Sequence, residues 1–289
     1  MFVSLKITAA VALSAAILVA APRDAPRSDA TALVTIAAGD VVYRAAGEFL
    51  RAGNPQNGPK TVVSIARDFA IMKRQVSRAE YRACVAAGAC KPIDKSAASG
   101  GEDIPVVGVS WQDATAYAGW LSAKTGYRYR LPTDEEWARA AGPAYRDDAF
   151  TEVSDPKDPA KRWLALYAAE ARQTVPVDPT PQPFGSFGAN PNGLLDVGGN
   201  VWEWTNSCFV RHAVDPVTGA ISVANRNCGV RVVEGSHRSY ATDFIRDPRV
   251  GGCSVGTPPA NLGFRLIRED EGVLAELGAQ LMATLKLPG

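Results

Sequence analysis

Apolar positions in this chain fall in short runs whose period changes along it. From Leu33 to Phe69 brief apolar stretches alternate with glycine, asparagine and proline, which predicts strands joined by turns. GEFLRAG (47–53) is one such strand between glycines. Three helix starts follow. Val76 to Tyr81 carries a capping box from Ser77 to Glu80 and a staple pair, Val76 and Tyr81. Ser110-Trp111-Gln112-Asp113 opens a helix with Trp111, Ala114, Ala118 and Leu121 on one face and Gly126 as its stop. Thr133 to Glu136 is a further capping box, preceded by Pro132 and followed by Trp137. Between the last two helices YRYRL (127–131) alternates like a half-buried strand. Residues 143–190 read as loop, interrupted by a short helix over 160–172, and residues 269–289 read as a C-terminal helix through Val273, Leu274, Leu277, Leu281 and Leu285.

Helices and strands do not alternate as βαβ units, so a doubly wound parallel sheet is not expected. The pattern predicts an α+β fold, a single irregular globular domain over 33–268 with little regular secondary structure. At the front, a charged start and an apolar run ending at Ala21 match a secretory signal peptide (1–21), with an uncleaved anchor as the alternative. A polar, proline-containing linker (22–32) follows. The expectation is an exported, periplasmic protein that touches a membrane only through that segment. Charge is near balance, with 31 basic against 30 acidic residues, so nothing points to nucleic acid.

Five cysteines suit an oxidising compartment. Residues six apart on a continuous helix lie about 9 Å apart along its axis, whereas a disulfide needs Cα atoms within ~7 Å. Pairing Cys84 with Cys90 therefore requires the helix to end near Gly88, a natural glycine stop. Cys208 and Cys228 bracket what reads as a loop and staple it. Cys253 is left over and reads as a buried thiol, since no histidine is near it in sequence.

The chain is organised around NPNGLLDVGGNVWEWT (190–205). After a turn signal and the pair Leu194–Leu195 come two glycines and a Trp202-Glu203-Trp204 cluster. Asp196, Asn200 and Glu203 place three oxygen-bearing side chains within one tight turn. Two readings stand. One is a rigid corner whose polar groups satisfy one another; the other is a site for a hard cation such as calcium, bound by carboxylates and carbonyls in a glycine-kinked segment.

Taken together, AGEFLRAG (46–53), IPVVGVSWQDATAYAGWLSAKTGYRYRLPTDEEWARAAG (104–142), NPNGLLDVGGNVWEWT (190–205), NLGFRL (261–266) and, more weakly, GVRVVEGSHRSY (229–240) resemble the sulfatase-modifying-factor family of the formylglycine-generating enzyme. The resemblance implies one globular domain of C-type-lectin-like topology. It also implies calcium ligands at the side chains of Asp196 and Glu203 and the carbonyls of Gly199 and Val201. The formylglycine-generating members oxidise a client's cysteine with a copper-bound cysteine pair in the segment after Gly-Ser. Here that segment reads EGSHRSYATDFIRDPR and holds no cysteine. A soft ion such as Cu(I) needs thiolates, so formylglycine formation by that route is not expected, and neither copper nor iron is.

Trp202, Asn261 and Arg265 lie at or beside motif positions of the family's groove, with packing roles as the plainer reading. Ser236, His237 and Arg238 are the residual catalytic candidates. A histidine near its ordinary pKa serves as base or ligand, but a lone one reads first as a hydrogen-bonded structural residue. The leading expectation is an accessory or maturation factor for a protein client in the periplasm. The stretches DFAIMKRQVSRAEYRACVAAGAC and GVRVVEGSHRSY resemble accessory proteins encoded with copper nitrite reductases in denitrifying bacteria. The alternative is a metal-dependent oxidase acting on a small molecule or peptide, with its metal near His237, Asp243 and Cys253.

Overall fold

A computed structural model describes residues 32–93, 101–148, 158–172, 180–248, 252–253 and 261–269. The expected signal (1–21), nearly all of the linker and the C-terminal helix beyond Glu269 lie outside these residues. In chain order the elements are β1 (Leu33–Ile36), β2 (Gly39–Arg44), β3 (Glu48–Arg51), β4 (Asn54–Gln56), β5 (Lys60–Ile65), β6 (Phe69–Met72), α1 (Arg78–Ala86), α2 (Trp111–Thr125) and β7 (Arg128–Arg130). Then follow α3 (Asp134–Ala141), α4 (Pro159–Arg172), β8 (Trp202–Val214), β9 (Ile221–Glu234), β10 (Arg238–Thr242), β11 (Gly252–Cys253), β12 (Leu262–Gly263) and β13 (Ile267–Glu269). They form a sheet ordered β1-β6-β13-β7, a larger one ordered β11-β10-β9-β8-β3-β4 with β12 added to β8, and the pair β2-β5. Strands far apart in sequence are neighbours, and no parallel pair is joined as a βαβ unit. The fold is the mixed α+β arrangement that the alternating runs imply.

The helix signals act as written. Ser77 Oγ accepts the Glu80 amide at 3.1 Å, and Glu80 Oε2 accepts the Ser77 amide at 2.7 Å. That reciprocal pair satisfies two otherwise orphaned donors of α1. Val76 and Tyr81 are both buried in the same core cluster. Helix α1 ends at Ala86, and Gly88 takes a left-handed φ of 72°. The chain then turns back so that Cys84 and Cys90 bond with Cα atoms 5.3 Å apart. Replacing both by alanine is expected to destabilise the domain by about 2 kcal/mol, the loop-closure value for so short a ring. Urea denaturation of the double variant checks this.

Two readings need correction. Cys208 and Cys228 do bond, at a Cα distance of 4.5 Å, but what they join is a long ribbon and not a loop. β8 and β9 pair antiparallel over most of their length. Asp215 Oδ1 organises the turn between them by accepting the amides of Val217 and Thr218. The ribbon was hidden because the first nine residues of β9 are exposed on both faces, so no period-2 alternation marks that strand. Trp111, as expected, packs against the same core cluster as Ala114, Ala118 and Leu121; its indole donates to Thr205 O at 3.0 Å and carries the Arg231 guanidinium 3.7 Å above the ring. Finally, Asp196, Asn200 and Glu203 do not share one turn, because Glu203 already belongs to β8.

The main core gathers Tyr81, Tyr117, Trp204, Val233, Leu262 and Phe264, so α1, α2, the start of β8, the end of β9 and β12 meet there. The 190–205 corner and the Gly-Ser segment lie at this junction.

Candidate functional site

The corner begins with the predicted turn: Gly193 donates to Asn190 O at 2.8 Å, and Leu194 to Asn190 Oδ1 at 2.9 Å. Asp196 and Asn200 follow with left-handed φ values of 57° and 46°, a conformation that short polar residues tolerate best. Asp196 is fully buried, and its two oxygens accept the amides of Phe187 (2.8 Å) and Gly185 (2.7 Å). Asn200 clasps the backbone of Gln182 through both ends of its amide. Glu203 faces elsewhere. One of its oxygens accepts from Gln75 and Arg265 Nη2, both at 2.7 Å, and the other from Trp137 Nε1 at 2.9 Å and Arg265 Nε at 2.7 Å.

This decides how well the corner fits calcium. All four acceptor positions of the Glu203 carboxylate are occupied, two of them by a guanidinium, and Asp196 is committed to a different set of donors. The two carboxylates of the expected ligand set share no hydrogen-bond donor. Glu203 already has a cation, because Arg265 also gathers the carbonyls of Leu195 (3.0 Å), Lys73 (3.3 Å) and Met72 (3.4 Å). The self-satisfied corner is the arrangement observed, and calcium would have to displace Arg265 to use Glu203. Gly199 donates its amide to Asp196 O at 3.3 Å, and Val201 is buried. Arg265 and Glu203 thus tie β6, the corner and the C-terminal strands together.

Next to the corner stands the wall built by the Gly-Ser segment. Trp202 is buried, and a Cβ on Gly235 would lie 2.5 Å from its indole, so only glycine admits the ring. His237 packs edge-on against Trp202 at 5.0 Å, and its Nδ1 lies 2.7 Å from Arg238 O. Its Nε2 is buried without a partner. Asn261 accepts the Trp202 amide at 3.2 Å and donates to Asn200 O at 3.3 Å, fixing β12 to β8. Ser236 is exposed. The Asp243 amide and carbonyl bond to the backbone of Gly229 and Gln112. Cys253 pairs through its backbone with Tyr240, and its side chain lies outside the described positions. Among the described residues no three His, Cys, Asp or Glu side chains are placed to share a metal ion.

Arg238, by contrast, is the hub of a buried charge cluster. Its Nε lies 3.1 Å from Asp134 Oδ2 and 3.3 Å from Glu234 Oε1, and its Nη1 lies 3.5 Å from Asp148 Oδ2. Its Nη2 donates to Arg44 O at 2.7 Å and to the Tyr145 hydroxyl. Tyr43 donates to Asp134 at 2.5 Å, and Tyr240 to Asp148 at 2.6 Å. Burial, then the Asp134 charge and a hydrogen bond to Asp134, push the Glu234 carboxyl well above the usual carboxylate range. Burial likewise raises Asp148. Glu234 Oε2 and Asp134 Oδ1 each lack a donor, and a proton carried by Glu234 supplies one. Of this cluster the sequence pointed only to Arg238. Asp134 was absorbed into a capping box, and the signal for Glu234 was a lone acid closing the apolar run VRVVEG.

The site can hold a proton and position hydrogen-bond donors, but it has no thiolate pair. Four of the five cysteines are joined to one another.

The profile of the "Sulfatase-modifying factor enzyme 1-like domain" matches residues 19–270. The formylglycine-generating enzyme of Streptomyces coelicolor is 33% identical over 190 residues, 59% of this chain and 54% of that protein. The one from Mycobacterium tuberculosis is 38% identical over 178 residues, 57% of each. The mouse protein named inactive C-alpha-formylglycine-generating enzyme 2 is 30% identical over 172 residues, 56% of this chain and 50% of that one. The chain spans about half the length of these curated relatives. In fold it is similar to PvdO from Pseudomonas aeruginosa, with a TM-score of 0.50 and 22% identity over 82% of this chain and 94% of that one.

Proposed function

Because the chain belongs to the sulfatase-modifying factor enzyme 1-like family, we propose that it is an exported member serving as an accessory or maturation factor for another exported enzyme, with copper nitrite reductase as the client, and that it does not form formylglycine. The observation that carries this reading is the state of the cysteines. Residues 235–248 contain none, and Cys84–Cys90 and Cys208–Cys228 are disulfides, which leaves Cys253 alone. A single thiolate does not make the paired soft-ligand site that Cu(I) takes. A relative named as inactive supports a non-oxidising role within the family. What this chain's own residues supply is a rigid wall, with Trp202 and His237 beside Ser236, fixed from behind by Asn261 and Arg265.

The purified chain loaded with copper is expected to leave a cysteine-containing sulfatase peptide unchanged by mass spectrometry. A strain lacking the gene is expected to accumulate nitrite reductase protein of reduced specific activity. Conversion of the peptide would overturn the first half and favour the oxidase reading. Full nitrite reductase activity in the deletion strain would remove the client assignment.

A further inference from the structure

β10 covers the outer edge of β9 only from Val230 to Glu234, and the Asp243 amide extends that cover to the Gly229 carbonyl at 2.9 Å. Among the described residues nothing pairs with that edge over Ile221–Asn227, although the same stretch pairs with β8 on its inner side. Every residue from Ile221 to Gly229 is exposed. A bare edge is a template for another strand, and proteins commonly guard it with proline, lysine or clustered charge. Residues 216–229 carry a single charge, Arg226, and their one proline, Pro216, lies in the turn.

The register with β8 decides what this edge offers. Residues directly opposite across a ladder share a face, and alternate residues of one strand do likewise. Ile221, Val223 and Arg226 stand opposite Val214, His212 and Val210. All three therefore lie on one face, because Ala224 has no partner where the register shifts between Arg211 and His212. On that face a row of side chains crosses the sheet from Phe49, stacked on His212 at 4.2 Å, to Val223, and ends open at the edge. Ile221 is 43% exposed and Val223 57%. Ser222, Asn225 and Asn227 give the other face a polar edge. The Arg226 guanidinium has neither a hydrogen bond nor an ion pair among the described residues, whereas Arg51 of β3 and Arg211 of β8 are engaged by Gln56 and Glu48.

We propose that this edge is a docking site for an extended segment of another polypeptide, which adds to β9 as a strand with apolar side chains against Ile221 and Val223 and a carboxylate against Arg226. A second copy of the chain laid on the same edge supplies no such carboxylate, since residues 216–229 contain no acid. That partner need not be the client proposed above, and peptide binding by the purified chain is read independently of any client. The probes are the blocked, fluorescein-labelled peptide Thr-Glu-Thr-Val-Thr-Val-Thr, its reversed sequence, and both with lysine in place of glutamate, each added to the full chain. A glutamate peptide in one of the two directions is expected to bind saturably by fluorescence anisotropy and to slow hydrogen exchange of amides within Ile221–Asn227. Its lysine counterpart should bind about five- to tenfold more weakly, and Arg226→Glu should reverse that order. Arg226 is exposed, so the variant is expected to keep the fold, which a thermal melt verifies. No saturable binding below about 1 mM, protection confined to other strands, or an order of affinity unchanged by Arg226→Glu would overturn the assignment. Self-association of the chain that protects the same amides without peptide would place a second copy on the edge and overturn it too.

Discussion

Arg265→Met is expected to destabilise the domain by about 3–5 kcal/mol, the range for removing one partner of a buried ion pair. Methionine keeps the volume and removes the charge. Glu203 would then stay buried with only Gln75 and Trp137 as donors, and the carbonyls of Leu195, Lys73 and Met72 would each lose the guanidinium, Lys73 keeping the Leu195 amide at 2.8 Å. Water cannot replace these bonds where both side chains are at most 1% exposed. Glu203→Gln alone should cost less, and combining it with Arg265→Met should cost less than the sum, because the second change removes the charge stranded by the first. Urea denaturation of the four species gives the cycle. A loss below about 1 kcal/mol for Arg265→Met would mean that the pair contributes no more than an exposed one. The same melts decide the calcium question. Chelation with EDTA leaves the wild-type midpoint in place if Arg265 is the cation at Glu203, and lowers it if Glu203 ligates calcium.

What the sequence disclosed depended on how local the cause was. Ser77, Ser110, Thr133, Gly88 and Gly126 act on backbone groups within a few residues, so α1, α2 and α3 and their ends were legible as written. The first disulfide followed from the end of α1. Trp202 and Asn261, groove positions by motif, are buried side by side, with Asn261 accepting the Trp202 amide. Illegible were features set by partners more than about fifty residues away. Gln75 and Arg265 meet Glu203 across 128 and 62 positions, and no local pattern says that a carboxylate in a glycine-kinked corner is already taken. In the Arg238 cluster Glu234 is only four positions away, but Tyr43 comes from β2, Asp134 from α3 and Asp148 from the segment after α3, each about ninety residues or more from Arg238. Each was readable singly as a strand, cap, loop or edge residue. Only the docking of β2, α3 and β10 makes them one site.

That cluster yields the second large effect, separable by choice of substitution. Arg238→Met removes the guanidinium paired with Asp134, Glu234 and Asp148 and is expected to cost about 3–5 kcal/mol, again as a stranded buried charge. Glu234→Gln should be nearly neutral at acid pH, below the ordinary carboxylate value of 4.5, because the amide accepts from Arg238 and donates to Asp134 as the protonated acid does, and it should become stabilising relative to the wild type as pH rises. The contrast extends to pH. Glu234 has its carboxyl raised well above the ordinary value of 4.5 in the folded chain, through burial first and Asp134 second. A group raised in the folded state contributes stability that is complete below its unfolded pKa and is lost as pH climbs toward the folded one. Above about pH 5 the native chain therefore holds a proton that the unfolded chain has released, and stability falls by up to about 1.4 kcal/mol per pH unit from this residue alone. The amide of Glu234→Gln cannot titrate, so the variant should lose that slope while the contribution of Asp148, raised in the same sense, persists in both proteins. Subtracting the two stability curves between about pH 5 and pH 8 isolates the Glu234 proton. Parallel curves would mean that Glu234 is ionised in the folded chain, and Arg238 would then face a stronger excess of negative charge than the geometry here implies.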